Sequence, residues 1–508
     1  MTPHPDPSTD PDQLELDPIA LAVALGGLRA ACEEMGALLV RAAHSPNIKE
    51  RRDASCAVFD PAGQMIMQAE HIPVHLGAMP AAVAAVLDGP HAPGRSFILN
   101  DPFAGGTHLP DITLVTPAYL EGRLLGFAAT RAHHADVGGR LPGSMPADSR
   151  TLADEGVLIT PQVLRKNTIE ELIARMRQPS ERRADLRAQQ AANDLGARRL
   201  GELARRIGLG GLAAAGAQVI AYAERRTRAC IADLPDGVRR ASDILEAPEG
   251  DLELRLRATV DGDELTLDFT GSAVQHPGNL NCPLAVTHSA CYYAARVLTD
   301  PDIPPSAGAH RPIRVIAPLG SILNARRPAA VAAGNVETSS RVADLVLGAF
   351  GRALGQGTMN NLTLGNDGFS YYETTGGGQG ACPDADGPSG VHVAMSNTLN
   401  TPVEALERAY PIRVVRNEIR RGSGGRGAHH GGDGIVRELE ALEPMTYSLI
   451  AERRRHPPSG ADGGEPGARG RDLLNGAPIP GKSTGTLKAG DRLRIETPGG
   501  GGHGRPAD

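Results

Sequence analysis

The sequence predicts an α+β fold of several domains, with mixed β-sheets, a helical insertion and glycine-rich loops. The chain has 508 residues, which is enough for about three domains. Apolar residues make up 41% of it, but aromatic residues only 3% and Trp is absent, so Ala, Val, Leu and Ile have to build the core. The 62 glycines and 40 prolines indicate many loops and turns around a β-rich interior.

Helical and strand-like segments alternate in the first part of the chain. Residues 18–43 have the apolar periodicity of a helix. Residues 55–69 are typical of two short strands around a turn at Asp60–Gly63. Residues 75–89 predict a further helix, and residues 96–111 predict a buried strand that runs into a glycine-rich loop.

The composition changes further along the chain. Residues 168–234 are rich in Arg, Ala, Glu and Leu at helical spacing, which predicts two or three long helices. Residues 251–271 alternate in polarity and predict a hairpin that turns at Asp261–Gly262. Residues 283–355 mix helix and strand. The chain is therefore expected to divide into a disordered leader (1–17), an α/β domain with the candidate site (18–167), a helical segment (168–235), a central α/β domain (236–420) and a glycine-rich β region (421–508).

Composition also excludes several functions. The net charge is -7 and there is no basic stripe with interleaved aromatic residues, so we expect no nucleic-acid partner. An apolar run of the ~18 residues needed to cross a bilayer is missing, and the acidic, proline-rich start lacks the features of a signal peptide. The six cysteines form no CxxC pair, which is typical of buried thiols in a reducing cytoplasm.

A β-hairpin is predicted to assemble the most informative polar residues. Residues 111–132 contain two strand-like runs joined at Glu121–Gly122, so a tight turn there places Asp111 opposite Ala132 or His133. Cross-strand neighbours have Cβ atoms only ~5 Å apart. His108 enters on the preceding loop, because Pro110 disfavours a helix. The hairpin is thus expected to bring His108, Asp111 and His133 to one end of a strand pair.

This cluster is suited to a divalent metal ion. His133 and His134 are adjacent and face opposite sides of a strand, so only one joins the cluster easily, and the register favours His133. Two imidazoles and a carboxylate suit Zn²⁺ or Mn²⁺. Asp53 and Glu70 are candidates for a fourth ligand, and Asp136 for a carboxylate that orients a ligand histidine. The spacing alone leaves an equal alternative, in which the histidines only hydrogen-bond surface loops.

Two catalytic patterns overlap near the C-terminus. Residues 476–483, GAPIPGKS, match a P-loop, but Pro478 and Pro480 would remove two of the backbone donors that hold phosphate. The residues that follow predict strand, turn and strand instead of the helix that a P-loop opens. The overlapping GKSTG also lacks the strand-to-helix context of a nucleophile elbow. We therefore expect no nucleotide site and no nucleophilic serine here.

Several long motifs, in the same order, resemble the hydantoinase B/oxoprolinase B-type family. This family includes the B subunits of ATP-dependent N-methylhydantoinase, 5-oxoprolinase and caprolactamase, and it is related to subunits of acetone and acetophenone carboxylases. The resemblance covers nearly all of residues 18–504. The segments that carry it are SPNIKERRDASCAVFDPAGQMIMQAEHIPVHLGAM, NDPFAGGTHLPDITLVTP, RAHHADVGGRLPGSMP, DFTGSAVQHPGNLNCP, PAAVAAGNVETSSR, YYETTGGGQGA, NTLNTPVEALE, GSGGRGAHHGGDGIVRE and TPGGGGHG.

The resemblance implies a set of site residues. Its motifs give the metal ligands as Asp53, His108, Asp111 and His133, with Glu70 as the substitute for Asp53. Candidates for proton transfer or orientation are Glu70, His71, His75 and His134. The alternative for His71 and His75 is that they only hydrogen-bond within their loops.

The function implied is that of the B-type subunit of an ATP-dependent cyclic-amide hydrolase, acting on a hydantoin, 5-oxoproline or a lactam. ATP would bind to a separate hydantoinase A-type ATPase subunit, in a heterotetramer, and phosphorylate the ring carbonyl oxygen. The metal on this chain would then activate the attacking water. One alternative is the corresponding metal subunit of an acetone- or acetophenone-type carboxylase, which the short length of this chain disfavours. Another is a scaffold that clamps the ATPase and holds no metal.

Overall fold

The computed structural model describes residues 15–70 and 72–507, apart from the side chain of Glu70. The predicted leader, residues 1–17, lies almost entirely outside this range, as does His71. The predicted domain boundaries stay predictions. The α+β class with mixed sheets is confirmed by the elements described below.

The helices in the described residues are α1 (Pro18–Ala42), α2 (Pro46–Lys49), α3 (Ala78–Ala84), α4 (Leu152–Glu155), α5 (Lys166–Ile173), α6 (Pro179–Ile207), α7 (Leu209–Ala232), α8 (Leu284–Leu298), α9 (Ala307–His310), α10 (Ser339–Ala349) and α11 (Val403–Ala409). The first strands are β1 (Ala54–Phe59), β2 (Met65–Glu70), β3 (Phe97–Leu99), β4 (Asp111–Leu120), β5 (Arg123–His133), β6 (Gln162–Val163), β7 (Gly237–Ala247), β8 (Gly250–Asp261), β9 (Glu264–Asp268) and β10 (Ile313–Ile316). The later strands are β11 (Asn361–Gly365), β12 (Ser370–Glu373), β13 (Ile412–Arg420), β14 (Gly434–Ala441), β15 (Met445–Ile450), β16 (Arg471–Leu474), β17 (Ala477–Ile479), β18 (Lys482–Leu487) and β19 (Arg492–Glu496).

A six-stranded sheet forms the N-terminal part, in the order β2-β1-β5-β4-β3-β6. Every pairing in it is antiparallel, and α1 and α6 cover one face. Leu28 and Met35 of α1 are fully buried in the same apolar cluster as Val58 of β1 and Ala128 of β5. Burial of these aliphatic side chains on a shared face is what fixes the helices to the sheet. The predicted first helix and the β1–β2 hairpin are confirmed.

The helix predicted over residues 75–89 is shorter than expected. A 3-10 turn occupies Pro73–His75, and α3 itself covers only Ala78–Ala84. After Ala84 the backbone bonds tighten, with Val86 N donating to Val83 O at 3.0 Å, so the regular helix ends. The turn and α3 pack against α8 of the central region, where Gly77 N donates to Ser289 Oγ at 2.9 Å.

The predicted helical segment contains α5, α6 and α7, in agreement with the expected two or three helices. Among the described residues no single helix has the length and apolar character needed to cross a bilayer. The pair α6 and α7, bent by 110°, meets that test only when its two members are taken together and only by length and composition.

A second sheet, in the order β10-β9-β8-β7, forms the centre of the molecule. The predicted turn at Asp261–Gly262 is confirmed, since Asp261 pairs with Glu264 across the β8–β9 hairpin. α10 packs against β7 and β8, and α8 packs against α10, so the two helices and the sheet enclose one large apolar core. A π-helical turn at Gly334–Thr338 leads into α10.

The C-terminal part has two further sheets, β12-β11-β15-β18 and β13-β14-β19-β16-β17, around a shared apolar core. Its glycine clusters pack backbone against backbone. At Gly500 an added Cβ would lie 2.0 Å from the carbonyl oxygen of Gln379, so only glycine fits there. The P-loop-like residues 476–483 form β17, a turn and the start of β18, as the two prolines predicted.

Candidate metal centre

The β4–β5 hairpin sets the geometry of the site. Glu121 and Gly122 both have positive φ, 50° and 79°, which is the conformation of a two-residue type I′ turn. Tyr119 pairs with Leu124, but Ala118 pairs with Gly126, so Leu125 is an extra residue on β5. This β-bulge shifts the register of the rest of the ladder by one residue. Asp111 is therefore paired with His133, which decides between the two registers that the sequence left open.

Three ligand atoms converge at the end of this hairpin. His108 Nε2, His133 Nδ1 and Asp111 Oδ1 lie 3.1 Å from one another in all three pairs. The three side chains are at most 2% exposed. The loop that carries His108 is held from both sides, because Arg131 Nη2 donates to Gly105 O at 2.6 Å and Asn100 Nδ2 donates to Leu109 O at 2.7 Å.

The chemistry of this triangle fits a small divalent cation. Two imidazole nitrogens and a carboxylate oxygen at these separations would repel one another as bare lone pairs, and two N–H groups directed at the same point would clash. A cation among them removes both problems, and ligands at ~2.1 Å from a tetrahedral ion are ~3.4 Å apart, close to the observed spacing. His108, Asp111 and His133 are accordingly the group among the described residues whose ligand atoms are close enough to hold one ion.

The second oxygen of Asp111 is bound on its other side. Thr107 Oγ1 donates to Oδ2 at 2.5 Å, and His75 Nε2 lies 3.5 Å from the same atom. His75 is fully buried and its Nδ1 is 2.8 Å from Ser55 Oγ. Burial by itself would raise the pKa of Asp111, but the neighbouring His108 and the hydrogen bonds from His108 and His133 hold that pKa well below its usual range. The carboxylate is therefore ionised, as a metal ligand has to be.

His133 is kept neutral and fixed in orientation. Burial lowers its pKa, although the carboxylates of Asp111 and Asp53 oppose the shift. Its ring stacks on that of Tyr372, with centroids 4.5 Å apart and an interplanar angle of 15°. The Tyr372 hydroxyl donates to Asn361 Oδ1 at 2.8 Å, which fixes the tyrosine ring in turn. Tyr372 thus acts as a wall against which the His133 imidazole is positioned.

The remaining candidate ligands have different positions. Asp53 lines the same cavity as the three clustered residues and is 7% exposed, but its carboxylate is outside the triangle. Its backbone carbonyl accepts the His133 N–H at 3.0 Å. Glu70 pairs with Ser55 on the edge strand β2, and its side chain and the whole of His71 are outside the described part of the chain. The role of Asp53 or Glu70 as a fourth ligand therefore stays a prediction.

Two other polar residues lie apart from the cluster. His134 faces the opposite side of the sheet, as the strand geometry predicted, and its Nε2 is 2.9 Å from Gln189 Oε1 of α6. Burial lowers its pKa to about 4. The prediction that Asp136 orients a histidine is wrong, because its carboxylate accepts backbone N–H groups of Gly138 and Gly143 and pairs with Arg177. Asp136 therefore stabilises a turn and does not support the metal centre.

A narrow cavity of about 20 Å³ adjoins the cluster, with room for one or two water molecules. Its wall combines segments from distant parts of the chain. The lining residues outside the cluster are Asp53, Ile72, Val74, Asn335, Val336, Met359, Tyr372, Thr374, Met395, Ser396 and Thr398. Ser396 Oγ is 2.5 Å from His392 Nδ1, so the wall also carries a hydroxyl–imidazole pair.

Most of this wall was not predicted. Arg131 had a usable signal, because it precedes His133 by two residues on one strand and so shares its face. Tyr372, Thr374 and Ser396 are more than 200 residues from the hairpin, and no local pattern connects them to it.

The model of the hydantoinase B/oxoprolinase family matches residues 17–506. The chain belongs to the hydantoinase B/oxoprolinase family. The resemblance inferred from the sequence motifs is thereby confirmed. Within this family, 5-oxoprolinase 1 of Arabidopsis thaliana is 41% identical over 528 residues, which cover 96% of this chain and 42% of that protein. The chain spans about two fifths of the length of the curated relatives it matches first.

Two solved structures have the same fold. An ATP-dependent caprolactamase from Pseudomonas jessenii superimposes with a TM-score of 0.91 and 28% identity, over 97% of this chain and 93% of that one. A nucleotide-free acetone carboxylase superimposes with a TM-score of 0.84 over 98% of this chain and 77% of that one. At 19% identity the carboxylase shares the fold, and its chemistry does not transfer.

Proposed function

We propose that this chain is the metal-binding B-type component of an ATP-dependent cyclic-amide hydrolase. One observation carries the proposal: His108, Asp111 and His133 converge within 3.1 Å of one another beside a buried cavity. Further support comes from 41% identity to a 5-oxoprolinase and from the fold of an ATP-dependent caprolactamase. The names of both relatives refer to cyclic amides.

Cyclic amides need activation before water can open them. The amide carbonyl is a poor electrophile, because the nitrogen lone pair is delocalised into it. Transfer of a phosphoryl group from ATP to the carbonyl oxygen makes the ring carbon reactive, and addition of water then leads to cleavage of the ring C–N bond and release of phosphate. In the proposal, ATP binds to a separate A-type ATPase subunit. The P-loop-like segment of this chain is strand and turn, which supports a nucleotide site elsewhere.

His108, Asp111 and His133 would hold the metal ion, with Asp53 as the fourth ligand. A Zn²⁺ or Mn²⁺ ion bound there would supply Lewis acidity that lowers the pKa of a coordinated water towards ~7. The donor set suits either ion. Proton-transfer roles for Glu70, His71 and His134 stay predictions.

Neighbouring side chains keep this ligand set in place. Thr107 and His75 contact the outer oxygen of Asp111, so the inner oxygen stays directed at the two imidazoles. Stacking of Tyr372 fixes the ring plane of His133. Partners of this kind raise metal affinity by about 10–100-fold.

A ring-sized substrate requires the cavity to widen. Met359 and Met395 lie in its wall, and methionine is unbranched and adapts its shape at low cost. Asn335 and Ser396 add polar atoms to the same wall, which suits the carbonyl and N–H of an amide. The cavity is thus apolar with a few polar groups, as small-molecule sites usually are.

The proposed assembly is a heterotetramer with the A-type ATPase in the cytoplasm. The fused curated relatives support a partner, because this chain corresponds to about two fifths of their length. The six cysteines are free thiols, which supports a reducing compartment.

The test is ring opening by the chain together with its A-type partner, ATP and a panel of 5-oxoproline, hydantoin and caprolactam. We expect ATP-dependent hydrolysis of at least one ring, abolished by His108→Ala and retained in His456→Ala, which changes a surface histidine. Bicarbonate-dependent ATP turnover with a ketone, and none with a cyclic amide, would instead identify a carboxylase. Full activity of the His108→Ala complex would exclude the proposed role of the cluster.

A further inference from the structure

A buried positive charge lies directly behind one wall of the cavity. The Arg51 guanidinium is fully buried, and its Cζ is 4.6 Å from the centre of the Tyr372 ring. Its Nη1 donates to Tyr372 O at 3.0 Å, and its Nη2 donates to Thr374 Oγ1 at 2.9 Å and Thr398 Oγ1 at 3.3 Å. All three acceptors are neutral. No carboxylate of the described residues lies within ion-pair distance of this guanidinium.

Other buried arginines of the chain are neutralised. Arg341 and Arg453 both pair with Asp344, at 3.0 Å and 2.7 Å, and Arg437 pairs with Glu373 at 2.7 Å. A buried charge without a counter-ion is costly, so proteins normally supply one. The absence of a carboxylate at Arg51 indicates that a ligand completes this position.

The hydroxyl groups in front of Arg51 have a proton to spare. Thr374 Oγ1 and Thr398 Oγ1 are 2.8 Å apart, and each accepts an N–H of the same guanidinium nitrogen. One hydroxyl proton is used in the bond between them, and the other has no acceptor among the described residues. Both residues line the cavity. This part of the wall can therefore donate and carries a positive potential, which suits an anion.

We propose that Thr374 and Thr398, polarised by Arg51, form an oxyanion subsite of this cavity. Its ligand is an oxyanion with at least one free lone pair, either a carboxylate on the cyclic amide or the phosphoryl group of the activated amide. The subsite rests on the proposed function, because Asp53 and Asp111 also line the cavity and the cation at the cluster offsets their charge. It deepens that function by giving the substrate, or its activated form, a defined orientation relative to the cluster.

The test measures binding and not turnover, so it is independent of whether the hydrolase activity is found. The full-length, metal-loaded chain is titrated calorimetrically with inorganic phosphate, with 5-oxoproline, and with 2-pyrrolidone, which has the same ring without the carboxylate. The same titrations are made with Thr374→Val and Thr398→Val, which keep the side-chain volume and remove the hydroxyl. Thr401→Val is the matched control, because Thr401 is buried near the same segment but its hydroxyl has no partner among the described residues and does not line the cavity.

Loss of one hydrogen bond to a charged ligand is expected to weaken binding by about tenfold or more. A weakening for 5-oxoproline but not for 2-pyrrolidone identifies the substrate carboxylate as the ligand, and a weakening for inorganic phosphate alone identifies the phosphoryl group. Either result supports the subsite, provided that Thr401→Val binds like the unaltered chain. Unchanged binding of phosphate and 5-oxoproline in both cavity variants, equal weakening in Thr401→Val, or no binding of either anion to the unaltered chain overturns it.

Discussion

Asp111 and His133 are direct partners across the β4–β5 ladder, and Asp111 Oδ1 lies 3.1 Å from His133 Nδ1. This pairing depends on the extra residue Leu125, which shifts the register by one position between the turn and the site. Without that bulge Asp111 would be paired with Ala132, and His133 would face the other side of the sheet. A feature eight residues from His133 therefore decides which histidine reaches the cluster.

The adjacent histidines provide the first prediction. His133→Ala is expected to lower metal affinity by more than about 100-fold, because a ligand is removed. His134→Gln is expected to leave metal affinity unchanged, since His134 faces α6. Competition of the purified variants with a chromophoric chelator measures both affinities. Equal losses in the two variants would show that the ladder does not orient the site as described.

Tyr372 is expected to position His133 through its ring and not through its hydroxyl. Tyr372→Phe keeps the stacked ring and loses the bond to Asn361, so it should lower the free energy of unfolding by about 1 kcal/mol and retain the metal. Tyr372→Ala removes the ring, so metal affinity should fall by about tenfold or more. Urea unfolding and metal titration check the two effects. Metal binding by Tyr372→Ala as tight as that of Tyr372→Phe would contradict the positioning role.

Glu337 is expected to make stability depend on pH. Burial, and next the nearby Glu452, raise its pKa to about 7. The folded chain therefore holds this proton more tightly than the unfolded chain, so stability is highest at low pH and falls as pH rises from the ordinary pKa of ~4.3 to about 7.

Glu337→Gln should remove this dependence. Glu337 Oε1 accepts from Met359 N and Asn361 Nδ2, which a glutamine oxygen can replace, while Oε2 has no partner among the described residues. The variant is expected to gain stability relative to the unaltered chain by on the order of 1–3 kcal/mol between about pH 5 and about pH 8. Urea unfolding at the two pH values measures it, with the exposed Glu418→Gln as control. A constant difference at both pH values would contradict the assignment.

The glycine clusters are expected to be intolerant of any side chain. Gly500→Ala should lower the free energy of unfolding by about 2 kcal/mol or more, because its Cβ would meet the Gln379 carbonyl. Gly26→Ala is the control, since no atom lies within 4 Å of the added Cβ and alanine favours the helix. Thermal unfolding compares the two. Similar stability of both variants would show that the close packing of these segments is not required.

Sequence reasoning reached the hairpin and the three clustered residues because their arrangement is local. The turn at Glu121–Gly122 and the alternation of two strands are enough to bring His108 and Asp111 near His133. The exact register was left open, because a bulge such as Leu125 has no sequence signature of its own. Tyr372 was missed because only the packing of β12 against the hairpin brings it to His133.

The glycine clusters illustrate the same limit. Their pattern indicated turns and close backbone approach, but which clusters contact one another depends on the tertiary fold, as the contact of Gly500 with Gln379 shows. The P-loop-like segment was excluded correctly, because the two prolines act locally on the backbone. In this chain local constraints were predictable, and contacts between distant segments were not.

Elemental analysis of the purified full-length chain tests the central claim most directly. The account predicts about one Zn²⁺ or Mn²⁺ per chain, retained on dialysis and lost in Asp111→Asn, while Asp148→Asn, an exposed control, keeps it. A chain that neither contains nor takes up a divalent metal, or an Asp111→Asn variant that binds it as tightly as the unaltered chain, would contradict the account.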